Sequence, residues 1–212
     1  MFRPTTFTLV ALLMLAAPMS ADEPGFTPLF DGRTLEGWTR FGGHESTWTV
    51  ADGLLVCSGE GGGWLGTVRD YDNFVLRLEF RMTEGSNSGV YLRAPADRSH
   101  ISRTGLEIQL LDELAPKHAH IQPWQRTGAI YHVAAPEPGH QKPPGQWNAM
   151  EIRLDGPHAV VVLNGATIVE DRLDRHPELE SEHTGLLRTS GRIGLQCHNG
   201  RVEFRNLLIR EQ

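Results

Sequence analysis

The chain has 212 residues and a formal net charge of −6 with histidine neutral. A mildly acidic chain without a basic run does not suit nucleic acid or an anionic membrane surface as partner. Its only cysteines, Cys57 and Cys197, are too few for a disulfide framework, and whether they pair stays open.

Residues 1–21 combine a basic start at Arg3, an apolar run over 7–17 and a small-residue end at Ser20-Ala21. That is the pattern of a secretory signal, and the apolar run is too short to span a bilayer. The expectation is cleavage after Ala21, a periplasmic or secreted protein, and no membrane attachment afterwards. Losing Arg3 takes the formal charge from −6 to −7. Residues 22–212 then form one domain of the size usual for an all-β sandwich.

Short alternating runs recur between turn signals through this region, predicting an antiparallel β-sandwich. Expected strands cover residues 47–50, 53–58, 74–82, 89–94, 105–111, 129–132, 147–155, 159–163, 167–170, 192–198 and 201–210. The clearest is 74–82, where Phe74, Leu76, Leu78, Phe80 and Met82 share one face and Arg77, Glu79 and Arg81 the other. Asn164-Gly165 and Asn199-Gly200 each separate two runs by two residues, the spacing of a tight hairpin. Residues 112–127 and 136–145 read as long loops, and 177–183 as loop with a turn or two.

The period of two also sorts polar residues by face. Tyr91 and Arg93 oppose the apolar Val90 and Leu92, and Glu107 and Gln109 oppose Leu106, Ile108 and Leu110. A hairpin at Asn199-Gly200 would put Gln196, His198, Glu203 and Arg205 together on a non-core face, with Gln196 opposite Glu203. Such groups suit directed hydrogen bonding to a small carbohydrate better than simple solvation, whereas Arg77, Glu79 and Arg81 read as solubilising charges. His118 and His120 have the spacing of two ligands on one strand face but lack a third, so no metal and no other cofactor is expected. Gly61-Gly62-Gly63 is a turn, not a phosphate loop, because neither helix start nor lysine follows. Trp38, Trp48, Trp64 and Trp147 read as core, while Trp124, in a long loop near His118 and His120, is the candidate for stacking on a sugar.

Eight segments carry a family resemblance: residues 29–38 (LFDGRTLEGW), 87–93 (NSGVYLR), 105–112 (GLEIQLLD), 128–131 (GAIY), 146–148 (QWN), 163–165 (LNG), 194–198 (GLQCH) and 202–206 (VEFRN). In this order they resemble the 3-keto-disaccharide hydrolase family, across residues 22–212. The resemblance implies a concanavalin-like jelly roll with a concave sheet as its cleft. It also implies cleavage of glycosides already oxidised at C3, with an oxidoreductase as the partner that makes the ketone. Such chemistry needs a base for the C2 proton, a donor to the C3 oxyanion and a donor to the leaving oxygen. Transferred to this chain, Glu107 or Asp112 is the base and Arg93 or Arg205 stabilises the oxyanion. Tyr131 or His198 serves the leaving group. Asn87, Tyr91, Gln109 and Gln196 bind sugar hydroxyls, with Glu203, Trp124, His118 and His120 as further binding candidates. Cys197 stands where a polar residue is expected in relatives. The competing readings are a non-catalytic carbohydrate-binding module and an adhesive module of a surface assembly.

Overall fold

Strict alternation makes residues 74–82 the natural centre of a sheet, and that is where they lie. The computed structural model describes residues 24–212, so the expected signal segment lies outside the described residues. In chain order the strands are β1 (Thr27–Pro28), β2 (Trp38–Phe41), β3 (Trp48–Ala51), β4 (Leu54–Cys57), β5 (Trp64–Thr67), β6 (Phe74–Met82), β7 (Asn87–Ala94), β8 (Leu106–Leu111), β9 (Asn148–Asp155), β10 (His158–Leu163), β11 (Ala166–Arg172), β12 (Arg192–Gln196) and β13 (Val202–Glu211). They form two antiparallel sheets. One is eight-stranded, in the order β11-β10-β9-β6-β13-β4-β3 with β1 added on β13; the other has five strands, β2-β5-β12-β7-β8.

The sheets bury their apolar faces against each other. Phe74, Leu76, Leu78 and Phe80 of β6 belong to the same core as Val90 and Leu92 of β7, Ile108 of β8 and Leu195 of β12. Each such side chain removed from water contributes about 1.5–3 kcal/mol, which is why a two-layer sandwich forms from these alternating strands. Cys57 and Cys197 are free, buried thiols that belong to the two facing sheets. On the outside of the larger sheet the charges of β6 lie in ladders. Arg77 pairs with Glu151 at 2.5 Å, Arg81 with Glu203, and Glu79 with Arg205 at 2.6 Å. Arg81 and Arg205 also lie against the Trp147 ring, 4.8 and 4.0 Å from its centroid.

Two sequence expectations are corrected here. The Asn164-Gly165 hairpin forms as expected between β10 and β11, with Leu163 opposite Ala166. The Asn199-Gly200 turn, however, joins β12 to β13 across the sandwich rather than within a sheet. β12 pairs with β5 and β7, while β13 pairs with β4 and β6. Residues on both strands keep their expected inward faces because each sheet turns its apolar side to the shared core. Glu203 and Arg205 therefore sit on the outside of the larger sheet, apart from Gln196. Pairing distance misled the hairpin reading because alternation specifies a face, not a partner.

The second correction concerns Arg93. Its φ is +48°, and β7 loses register with β12 there, since Ala94 faces Arg192 while Tyr91 faces Gly194. A bulge of this kind rotates the following side chains and breaks the parity rule. Arg93 is consequently buried, 2% exposed, and donates to the carbonyls of Asp72 at 3.2 Å, Gly156 at 2.8 Å and Arg188 at 2.9 Å and to Asn73 Oδ1 at 3.2 Å. Replacing it with Met strands these acceptors. Arg93→Met is expected to lose about 3 kcal/mol or more of unfolding free energy in a urea titration. Arg205→Gln, whose ion pair is 40% exposed on the arginine side, is expected to lose less than about 1 kcal/mol.

Candidate active site

The outer face of the five-stranded sheet carries the polar set that alternation assigned to β7, β8 and β12. Register sets Tyr91 opposite both Glu107 and Gly194, and Gly89 opposite Gln109. Glu107 is 4% exposed and folds over its neighbour strand, so a Cβ on Gly89 would stand 2.5 Å from its Oε1. Glycine at 89 therefore makes the space in which the carboxylate lies. Gln109 flanks it from the same strand. Oriented with its nitrogen toward the carboxylate, the Gln109 amide donates to Ser88 O and Glu107 Oε1, both at 3.2 Å. In the opposite orientation the Gln109 nitrogen instead donates to Oδ1 of Asn87, at the start of β7, at 3.3 Å.

Burial pushes the Glu107 carboxyl up to about 8, and the nearby Gln196 amide holds it back only in part. Gln196 Nε2 donates to Tyr91 Oη at 2.6 Å. The Tyr91 hydroxyl is thus an acceptor from Gln196, and its own proton remains available to a ligand. Burial first, and then the Glu107 charge, drive the Tyr91 phenol upward, so it stays protonated through the neutral range. Gln196 Oε1 is buried without a hydrogen-bond partner.

A cleft of about 370 Å³ opens beside these groups, lined by Tyr91, Gln196, Cys197 and His198, by Phe41 and Trp64, and by Arg98 to Ser102. Trp64 packs flat against the sheet, where Cβ atoms on Gly66 and Gly194 would stand 2.3 and 2.5 Å from its ring. Phe41 stacks on it at 4.1 Å, and Trp64 Nε1 donates to Asp97 O at 3.0 Å. Both ring faces are therefore covered, and Trp64 supports the wall rather than offering a platform. At the other edge, Tyr131 N donates to Glu107 O at 2.9 Å, aligning residues 128–131 with β8 in place of the ladder expected over 129–132. Burial and the neighbouring Glu107 charge raise the Tyr131 hydroxyl. Trp124 packs edge-on to Tyr131 at 5.1 Å and stacks on His132 at 3.7 Å.

The expected site residues thus separate into two groups. Asn87, Tyr91, Glu107, Gln109, Tyr131, Gln196 and His198 gather on this face, with Trp124 at its border. Arg93, Glu203 and Arg205 do not, for the reasons given above. Asp112 is 1% exposed, and its carboxylate accepts from Gly85 N at 2.7 Å and Leu114 N at 3.2 Å, closing a turn at the end of β8. Both of its oxygens serve the backbone, whereas the Glu107 carboxylate accepts from no backbone N–H among the described residues. His118 Nδ1 lies 2.7 Å from Asp112 O and His120 is exposed. Among the described residues no cluster of three potential ligands could hold a metal ion. Sequence reasoning missed Phe41, Arg98, His100 and Ser102 as lining groups, because they lie on a short edge strand, an irregular loop and the single helical turn Ile101–Thr104. The signal was present in Gly42 and Gly63, where a Cβ on Gly63 would stand 2.5 Å from Phe41 O.

An antiparallel sandwich with a polar cleft outside its smaller sheet is a galectin-like architecture. A Bacillus subtilis protein described as having that fold superposes with a TM-score of 0.61 at 16% identity, covering 88% of this chain and 94% of its own. More specifically, the chain belongs to the family of 3-keto-alpha-glucoside-1,2-lyase-like domains, which matches residues 25–210. A Bacteroides thetaiotaomicron relative named 3-keto-disaccharide hydrolase is 25% identical over 248 residues, spanning 96% of this chain and 84% of the relative. A Parabacteroides distasonis crystal structure, provisionally assigned as a glycosyl hydrolase, superposes with a TM-score of 0.77 at 30% identity, covering 88% of this chain and 99% of that one.

The raised Glu107 carboxyl has a stability consequence. Below pH 4.5 the group is protonated both folded and unfolded. As pH rises from 4.5 toward 8, the unfolded chain ionises while the folded one does not, so the native state loses stability across that window and levels off above it. Glu107→Gln has no such group. Its melting temperature relative to wild type is expected to climb between pH 4.5 and pH 8 and then stay level; a flat difference in calorimetry would remove the buried acid from this account.

Proposed function

We propose that this protein cleaves glycosides that carry a ketone at C3, removing the C2 proton, expelling the C1 substituent and adding water to the resulting enone. Family membership and the Bacteroides relative support the reaction class. The observation that carries it is a buried carboxylate of raised pKa on the sheet beneath the cleft, beside Tyr91 and Gln196, with no carboxylate among the described residues that line the cleft itself. Ordinary glycoside hydrolysis uses two carboxyl groups across the scissile bond. A ketone at C3 acidifies the C2 proton, so one base and well-placed donors suffice.

In this reading Glu107 takes the C2 proton. A carboxylate drawn up to about 8 is a stronger base than an ordinary one, though a smaller fraction is ionised at neutral pH. The Tyr91 hydroxyl donates to the C3 oxygen as it gains charge, replacing the arginines first expected there. His198 or Tyr131 donates to the departing C1 oxygen, and Asn87, Gln109 and Gln196 bind hydroxyls. Water then adds at C1 while the Glu107 proton returns to C2, so the net change is glycoside plus water giving keto sugar plus alcohol. A separate oxidoreductase supplies the ketone, and the signal-like segment 1–21 directs the protein out of the cytoplasm.

The test is incubation of the protein with a 3-keto-glucoside and its unoxidised parent. Alcohol release from the keto sugar alone is the expected result; sugar binding without turnover would leave a binding module. Glu107→Gln is expected to lower kcat/KM by at least about 10³-fold, within the range for loss of a general base, and Tyr91→Phe by about 10²-fold. Because the ionised base is the active form, kcat/KM is expected to rise with pH to a plateau, with its midpoint near 8. Asp112→Asn is expected to change stability more than turnover.

A further inference from the structure

The rim of the cleft differs in charge from the rest of the molecule. The chain is acidic overall, yet no carboxylate is among the described residues lining the cleft, whereas Arg98, His100 and His198 are. Arg98 reaches back toward β2, its Nε 3.9 Å from where a Cβ on Gly42 would stand, so it reaches toward the mouth from the loop after β7. No hydrogen bond or ion pair to another described residue engages its guanidinium. The neighbouring acid, Asp97, is turned to its own loop, where Oδ1 accepts from Ser99 N at 2.8 Å. Ser99 and Ser102 add hydroxyls to the same wall. Glu107, by contrast, lies on the sheet beneath the cleft and does not line its mouth. An unpaired guanidinium beside imidazole and hydroxyl donors in a cleft without carboxylates is the constellation that receives a carboxylate, sulfate or phosphate.

We infer that the outer end of the cleft is an anion subsite, and that the preferred substrate carries a negatively charged group on the part expelled from C1. This rests on the cleft being the substrate site. With His198 as the donor to the departing oxygen, a sugar placed against Tyr91 and Gln196 above Glu107 projects its C1 substituent past His198 toward Arg98. Arg98 is thus a specificity-determining residue outside the proton-transfer machinery.

The experiment is calorimetric binding of 4-carboxyphenyl glucoside and its 4-carbamoylphenyl isostere, in both anomeric forms, to the whole protein. These probes are unoxidised, so the outcome does not depend on whether the keto sugar is turned over. One carboxylate anomer is expected to bind about tenfold more tightly than its carboxamide, which corresponds to about 1.4 kcal/mol. That preference is expected to shrink as salt is raised. Arg98→Gln is expected to abolish the difference while leaving carboxamide affinity unchanged, and Arg98→Lys to retain part of it. Equal affinities, no binding of either probe, or an Arg98→Gln variant that weakens both alike would overturn the assignment. Failure of the proposed function is separate and appears as an absence of turnover on 3-keto-glycosides.

Discussion

A single buried guanidinium determines where the site-bearing sheet changes register. Arg93 lies in the left-handed backbone region and ties the loop at Asp72 and Asn73, the β9–β10 turn at Gly156 and the segment at Arg188 to one point. A side chain can hold a strained backbone only when its own partners outweigh the strain of about 1–3 kcal/mol. Because β7 is shifted there, Tyr91 faces the bare backbone of Gly194 on one side and Glu107 on the other. The arginine that looks catalytic by parity therefore acts as the frame on which the polar face is aligned.

On that face, stability and reactivity oppose each other. Glu107 is enclosed by a glycine, two glutamine amides and two tyrosines, none of them cationic, and no ion pair stabilises its charged form. The carboxylates on the other sheet show the contrast. Glu151 and Glu203 are held below the usual range once the pull of their arginine partners offsets the burial that acts first on them. The same residue type is thus held ionised on one sheet and pushed toward its neutral form on the other, and the difference lies in whether an arginine stands opposite.

Much of this was readable before the fold was known, and the failures have identifiable physical causes. Glu107, Gln109, Tyr91 and Gln196 were placed correctly on a non-core face because their strands alternate without interruption. Arg93 failed because a bulge is invisible to a rule of period two. Glu203 and Arg205 failed because an Asn-Gly turn specifies a tight reversal but not whether the two runs share a sheet. Asp112 could not be separated from Glu107 by sequence because its position at a strand end suits a site residue and a turn-closing acceptor equally. β5 was missed because all four of its residues are buried, leaving no alternation to detect. The cleft wall from Arg98 to Ser102 has no periodic signal at all, as is usual for loops that carry specificity on a rigid scaffold.

The place of β13 has a consequence for how the protein is assembled. Residues 202–211 lie between β4 and β6 and also receive β1, yet they follow all three partners in sequence. Until they arrive, the larger sheet consists of two unjoined halves with open edges, and the apolar face of the smaller sheet has only part of its cover. Closure thus depends on contacts between residues far apart along the chain, which favours slow, late and cooperative folding over stepwise growth from the N-terminal side. A chain lacking this strand presents unpaired β-edges, the kind of surface that invites edge-to-edge association.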